Sequence, residues 1–150
     1  MQERGLERFA GGKVRPWLLV VSVLVACGAA RMLPALPAGW NPEAFAKEDT
    51  LKLRTIEPQE GEHWSKVWLV VIDNQVYVRL GTRAAGRVEH NTTAPYLGVE
   101  VGGQRFERVR GVPAPESAQR VAAAMAEKYW SDVLVRHMNH PLTLRLVPED

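Results

Sequence analysis

Within nine residues of the chain, Arg79, Thr82, Arg83 and Arg87 supply three guanidinium groups and a hydroxyl, with Gly81 and Gly86 between them. Guanidinium forks give charge-assisted donors in the geometry that a phosphate accepts, and a hydroxyl adds a neutral donor beside them. Glycines let the backbone approach such a group closely. The stretch Gly81 to Arg87 therefore reads as a flexible phosphate-cradling loop following a strand that ends near Arg79. An ordinary solvated, arginine-bearing loop is the alternative on composition alone.

The four histidines offer less. His137 and His140 stand three apart and would share a helix face, but Pro141 follows at once and no acidic third ligand is near, so no metal site is expected. His63 and Trp64 precede an apolar run, and His90 is expected on the surface. No Gly-x-Ser-x-Gly elbow, Gly-x-x-x-x-Gly-Lys loop or His-Glu-x-x-His helix occurs. Asn91-Thr92-Thr93 matches a glycosylation sequon by chance. One cysteine in 150 residues excludes an intramolecular disulfide and a cysteine-rich zinc site.

Charge excludes another class. The formal net charge of +2 is already present in Arg4, Arg8, Lys13 and Arg15 against Glu3 and Glu7, leaving 15 basic and 15 acidic side chains in the rest. A neutral body lacks the electrostatic footprint for a phosphate backbone, so no nucleic-acid partner is expected.

After the basic stretch, Pro16 to Ala30 is an uncharged run of 15 residues that Arg31 ends. As a helix it would span roughly 22 Å, short of the roughly 30 Å hydrocarbon core, and its length suits the apolar region of a signal peptide. Within it Leu24-Val25-Ala26-Cys27-Gly28 resembles the lipobox of bacterial lipoproteins, whose cysteine thiol takes up the lipid. An uncleaved signal anchor with an inert Cys27 is the alternative. Either way the preceding Lys and Arg hold the N-terminus in the cytoplasm and send the rest across. Pro34, Pro37 and Pro42 forbid a regular helix, so 27–49 reads as an extended tether behind a signal or anchor at 1–26. Trp17 and Trp40 would flank the membrane segment, and Asn41 to Lys47 could form a short helix capping the domain that follows.

From Leu51 the period becomes two. Leu51 to Ile56 alternates as a half-wet strand, whereas Val67 to Ile72 is continuously apolar, as a strand buried on both faces would be. Asp73-Asn74 joins the latter to Gln75–Leu80 in a tight hairpin, and Gly102-Gly103 joins Tyr96–Val101 to Gln104–Val109 in a second. Pro115-Glu116-Ser117 opens a helix whose apolar stripe is Val121, Met125 and Tyr129. A second helical piece is expected from Ser131 to His137, and Leu142 to Val147 supplies the last strand. Trp68, Tyr77 and Phe106 are expected in the core.

This order, together with the interval from Arg87 to Pro95 and the helix ending in Lys128-Tyr129, resembles the pyridoxamine 5'-phosphate oxidase-like FMN-binding split barrels. The resemblance spans residues 50 to 147 and implies a mainly β fold, a barrel with one or two helices. It implies FMN as cofactor, with deazaflavin or haem as alternatives. Arg79, Thr82, Arg83 and Arg87 would be the binding residues, with Arg87 on the phosphate and Thr82 replacing a hydroxyl that the family often carries where Leu80 stands. His63 and Trp64 would lie where the family places residues that touch the flavin ring. It also implies a homodimer, against whose second subunit Trp130 could pack. The expectation is a membrane-tethered, periplasmic split-barrel flavoprotein acting as an FMN-dependent oxidoreductase; the alternative is a non-catalytic envelope lipoprotein of the same fold that binds a ligand or partner.

Overall fold

Alternation with period two dictates the architecture of the computed structural model, which describes residues 38–129 and 140–149. Its elements are α1 (Pro42–Phe45), β1 (Thr50–Glu57), β2 (Gly61–Ile72), β3 (Gln75–Leu80), α2 (Thr82–Glu89), β4 (Tyr96–Val101), β5 (Gln104–Pro113), a 3₁₀ turn (Pro115–Ser117), α3 (Ala118–Lys128) and β6 (Leu142–Pro148). The strands close into an antiparallel barrel in the order β1-β2-β3-β6-β5-β4. Closure leaves no unpaired sheet edge.

Every second residue fills the interior. Leu51 and Leu53 of β1, Leu69 of β2, Val76, Val78 and Leu80 of β3, Val99 of β4 and Leu144 of β6 are each almost wholly buried in one cluster. Each such side chain stabilises the fold by about 1.5–3 kcal/mol relative to exposure. The two hairpins turn as their sequences require: Asp73 and Asn74 have φ of 50° and 59°, and Gly102 and Gly103 have 57° and 75°. Positive φ at both central positions is the turn whose twist matches that of the strands.

A second, smaller core lies outside the barrel. Val70 and Tyr77, on the outward faces of β2 and β3, pack against Val121, Met125 and Tyr129 of the α3 segment, with Ala114 beneath the preceding turn. This explains the uninterrupted apolar run in β2, whose inward residues meet the barrel and whose outward residues meet α3.

Four expectations are corrected. β2 begins at Gly61, so His63 and Trp64 belong to it, opposite Thr55 and Arg54 of β1. Gly81 to Arg87 is not a loop: Gly81 is the extended N-cap of α2, and Ala84, Ala85 and Val88 hold that helix on the barrel. Alanine and arginine are strong helix formers, and the single Gly86 costs only about 1 kcal/mol against them. Third, Trp40 and Phe45 are buried at 6% and 3% exposure, so the part of the expected tether after residue 38 packs with the barrel. The capping helix itself forms as expected, with the Asn41 side chain accepting from the Ala44 amide at 3.2 Å. Fourth, Trp68 and Phe106 are only partly buried, packed against the two cores from their edges. The expected helix at 131–137, and Trp17, Cys27, Trp130 and His137, lie outside the described residues. No helix among the described residues is long and apolar enough to cross a membrane.

Candidate anion-binding site

Outward-facing positions of β2 and β3 and the start of α2 converge on an open pocket of about 890 Å³. Arg79 alternates with the core residues Val78 and Leu80, so its side chain leaves the barrel on the side where it faces Thr143 of β6. Lys66 and Trp68 stand two apart on β2 and line the same pocket, as do Thr50 of β1 and Thr82 and Arg83 in the first turn of α2. His140, just before β6, completes the lining.

The pocket is cationic and its cations are uncommitted. Among the described residues, Lys66, Arg79 and Arg83 form no ion pair, whereas Lys52, Arg54, Arg87, Arg105, Arg110 and Arg120 all do. Nε of Arg79 is shielded from solvent and has no hydrogen-bond partner among those residues. A buried donor of this kind carries a desolvation cost that an anion would relieve. The start of α2 adds to this field. Gly81 offers no side-chain cap, and the first helical bond runs from the Ala85 amide to the Gly81 carbonyl at 2.9 Å, which leaves the amides of Thr82, Arg83 and Ala84 without intrahelical acceptors. Such a terminus favours negative charge.

Three of the four cofactor residues expected from the sequence thus come together: Arg79, Thr82 and Arg83. Arg87 does not join them. Five residues into α2, it lies roughly 7 Å further along the helix axis. Its Nε stands 3.3 Å from Glu57 Oε1, an ion pair with both side chains largely buried. His63 also lines no part of the pocket. Lys66 and Trp68 escape the sequence reading because the apolar run that marks the strand starts at Val67 and suits burial on both faces. Had the period of two been carried back through Lys66, Lys66 and Trp68 would have fallen on one outward face.

At the far end of α3 a group of polar atoms anchors the pocket's neighbours. Lys128 Nζ donates to the carbonyls of Glu48 and, at 3.3 Å, Leu69. The Tyr129 hydroxyl lies 2.8 Å from the same Leu69 carbonyl and also contacts that of Asp49. Burial lowers the Lys128 amine from its ordinary value, against the opposing pull of Asp49 and Glu48.

The architecture has recorded counterparts. The haem storage protein HutZ of Vibrio cholerae superposes with a TM-score of 0.52 at 20% identity, over 72% of this chain and 87% of that one. The conserved hypothetical protein Rv2991 of Mycobacterium tuberculosis does so with a TM-score of 0.54 at 21% identity, over 73% and 78%. The fold is a split barrel. At these identities the likeness concerns the fold, and what a split barrel does is argued from its site. No family model and no curated protein matches the chain.

Proposed function

We propose that this split barrel binds an anionic, planar cofactor in the pocket lined by Lys66, Trp68, Arg79 and Arg83, and that the cofactor is FMN. The observation that carries this reading is the meeting of three uncommitted cations with an uncapped helix N-terminus in one pocket. The donor set fits a phosphate: two guanidinium forks, an ammonium, the Thr82 hydroxyl and the first amides of α2. When bound, FMN supplies electron transfer, which would make the protein an oxidoreductase; the chain's own residues bind and orient it. A non-catalytic ligand-binding role of the same pocket is the alternative.

Haem is the second reading, favoured by His140 in the pocket lining and by the haem storage function named for HutZ. Its propionates would use the same cations, and an imidazole would be the axial ligand. Titration of the purified chain with FMN, riboflavin and haemin separates these outcomes. Arg79→Ala is expected to weaken FMN by about tenfold to a hundredfold, the worth of one charge-assisted hydrogen bond. Riboflavin, lacking the phosphate, should be unaffected. Absence of FMN binding would overturn the flavin reading, and equal FMN affinities for both proteins would remove Arg79 from the phosphate. A Soret band that His140→Ala abolishes would establish haem instead.

The N-terminal segment supports a further part of the proposal: export, with the chain held at the membrane by lipid on Cys27 or by an anchor; a homodimeric state is proposed from the split-barrel resemblance alone. A phosphatase fused to the C-terminus should then be active, and a reporter active only in the cytosol would refute export.

A further inference from the structure

We infer that Tyr129 is a positioning residue that holds the Trp68 indole as the aromatic wall of the anion pocket. The inference rests on the flavin reading and adds to it the group that the planar ring of the ligand would meet.

Trp68 stands on the outward face of β2 and is only partly buried, while Tyr129 at the end of α3 is buried. The two rings are stacked, with centroids 5.2 Å apart and planes 19° from parallel. Trp68 also lines the pocket, together with Lys66 and Arg79. A tryptophan serving the core alone would be enclosed; this one is stacked on Tyr129 and only partly buried.

The phenol is itself fixed at its far end. Its hydroxyl meets the carbonyls of Leu69 and Asp49. Leu69 directly follows Trp68 and Asp49 directly precedes Thr50, so each anchor lies one residue from a pocket-lining side chain. Lys128 adds a second donor to the Leu69 carbonyl and reaches that of Glu48, the residue before Asp49. The start of β1, the middle of β2 and the end of α3 are thereby tied at one place, and the ring of Tyr129 sets the plane of Trp68. A wall held in advance costs a stacking ligand less ordering entropy on binding.

The test uses the full chain in detergent, with ¹⁵N-labelled tryptophan and the Trp68 indole N–H resonance assigned by its loss in Trp68→Phe. Tyr129→Leu should shift that resonance and weaken FMN and riboflavin alike, by roughly threefold to tenfold, the worth of an aromatic contact. Tyr129→Phe, which keeps the stacked ring, should restore most of both affinities. This pattern differs from that of Arg79→Ala, which should weaken FMN alone. Unchanged riboflavin affinity in Tyr129→Leu, with the Arg79 effect present, would overturn the inference and leave the phosphate site standing. Absence of flavin binding in the wild type would overturn both. Should Tyr129→Leu fail to fold, Trp68→Leu carries the same comparison: equal weakening of both flavins supports the wall, and unchanged affinities refute it.

Discussion

The hydroxyl of Tyr129 lies 2.8 Å from the carbonyl oxygen of Leu69, joining the end of α3 to the middle of a strand 60 residues earlier in the chain. Burial, more than the nearby Asp49 carboxylate, pushes the phenol up to about 12. The protonated phenol is the form that the folded state prefers.

That preference gives an alkaline signature. A phenol whose folded pKa exceeds its unfolded value of 10.0 contributes stability that is fully present below pH 10 and lost as pH rises through about 12. Lys128 acts in the opposite sense, because its amine is lowered and the unfolded chain binds more protons just below pH 10.5. Between pH 10 and 12 the tyrosine dominates, so urea midpoints should fall across that window in the wild type and fall less steeply in Tyr129→Phe. Parallel slopes would show that Tyr129 does not titrate with unfolding.

Arg87 pairs with Glu57 and does not line the pocket. Its partner Glu57 is 16% exposed, so Arg87→Ala leaves a largely buried carboxylate without its cation. A loss of about 1–2 kcal/mol in unfolding free energy is expected, with FMN affinity within about twofold of wild type. A tenfold loss of FMN affinity at unchanged stability would instead place Arg87 on the phosphate.

How far the sequence revealed this arrangement depends on how local each signal was. Asp73-Asn74 and Gly102-Gly103 mark their turns because few residue pairs accept positive φ twice in succession. Val121, Met125 and Tyr129 mark α3 because the stripe repeats every four residues. By contrast α2 has only eight residues, and Gly86 and two arginines within it, with Gly81 just before it, resemble a loop until Ala84, Ala85 and Val88 are seen to meet the barrel. Arg79, Thr82 and Arg83 were identifiable from charge density alone. Lys66 reaches the pocket from a strand that pairs with β3 only at Leu69 to Ile72, a relation of register that no local pattern carries.

Asn91 illustrates a polar residue whose motif misleads. It is 5% exposed, its Oδ1 accepts from the Ile56 amide at 2.9 Å, and its Nδ2 donates to the Tyr96 carbonyl at 2.8 Å. Thr93 adds a hydroxyl donor at 3.0 Å to the same oxygen. The side chain thus links the end of β1 to the start of β4, and its amide nitrogen is not available as a sugar acceptor. Asn91→Ala should cost about 2–4 kcal/mol by leaving those backbone groups unpaired in a part-buried site. Denaturant titration checks this, and a loss under 0.5 kcal/mol, the range of an ordinary surface change, would contradict it.

Trp40 tests where the folded domain starts. Its ring meets Phe45 edge-on at 5.2 Å and 83°, and Phe106 of β5 at 4.9 Å and 78°. Phe45 and Phe106 also touch edge-to-face, so three aromatic rings from α1, its approach and β5 close one cluster on the barrel. A tether residue in solvent would tolerate truncation within about 0.5 kcal/mol. Removing an indole from a packed cluster leaves a cavity and costs about 3–5 kcal/mol. Trp40→Ala should therefore lower the unfolding free energy by about 3 kcal/mol, and Trp40→Phe by less, since a smaller ring keeps part of the edge contact. A chain starting at residue 38 should keep the wild-type urea midpoint, whereas one starting at residue 50 should lose the Trp40 and Phe45 contributions together. Equal midpoints for the two truncated chains would return residues 38–49 to the tether.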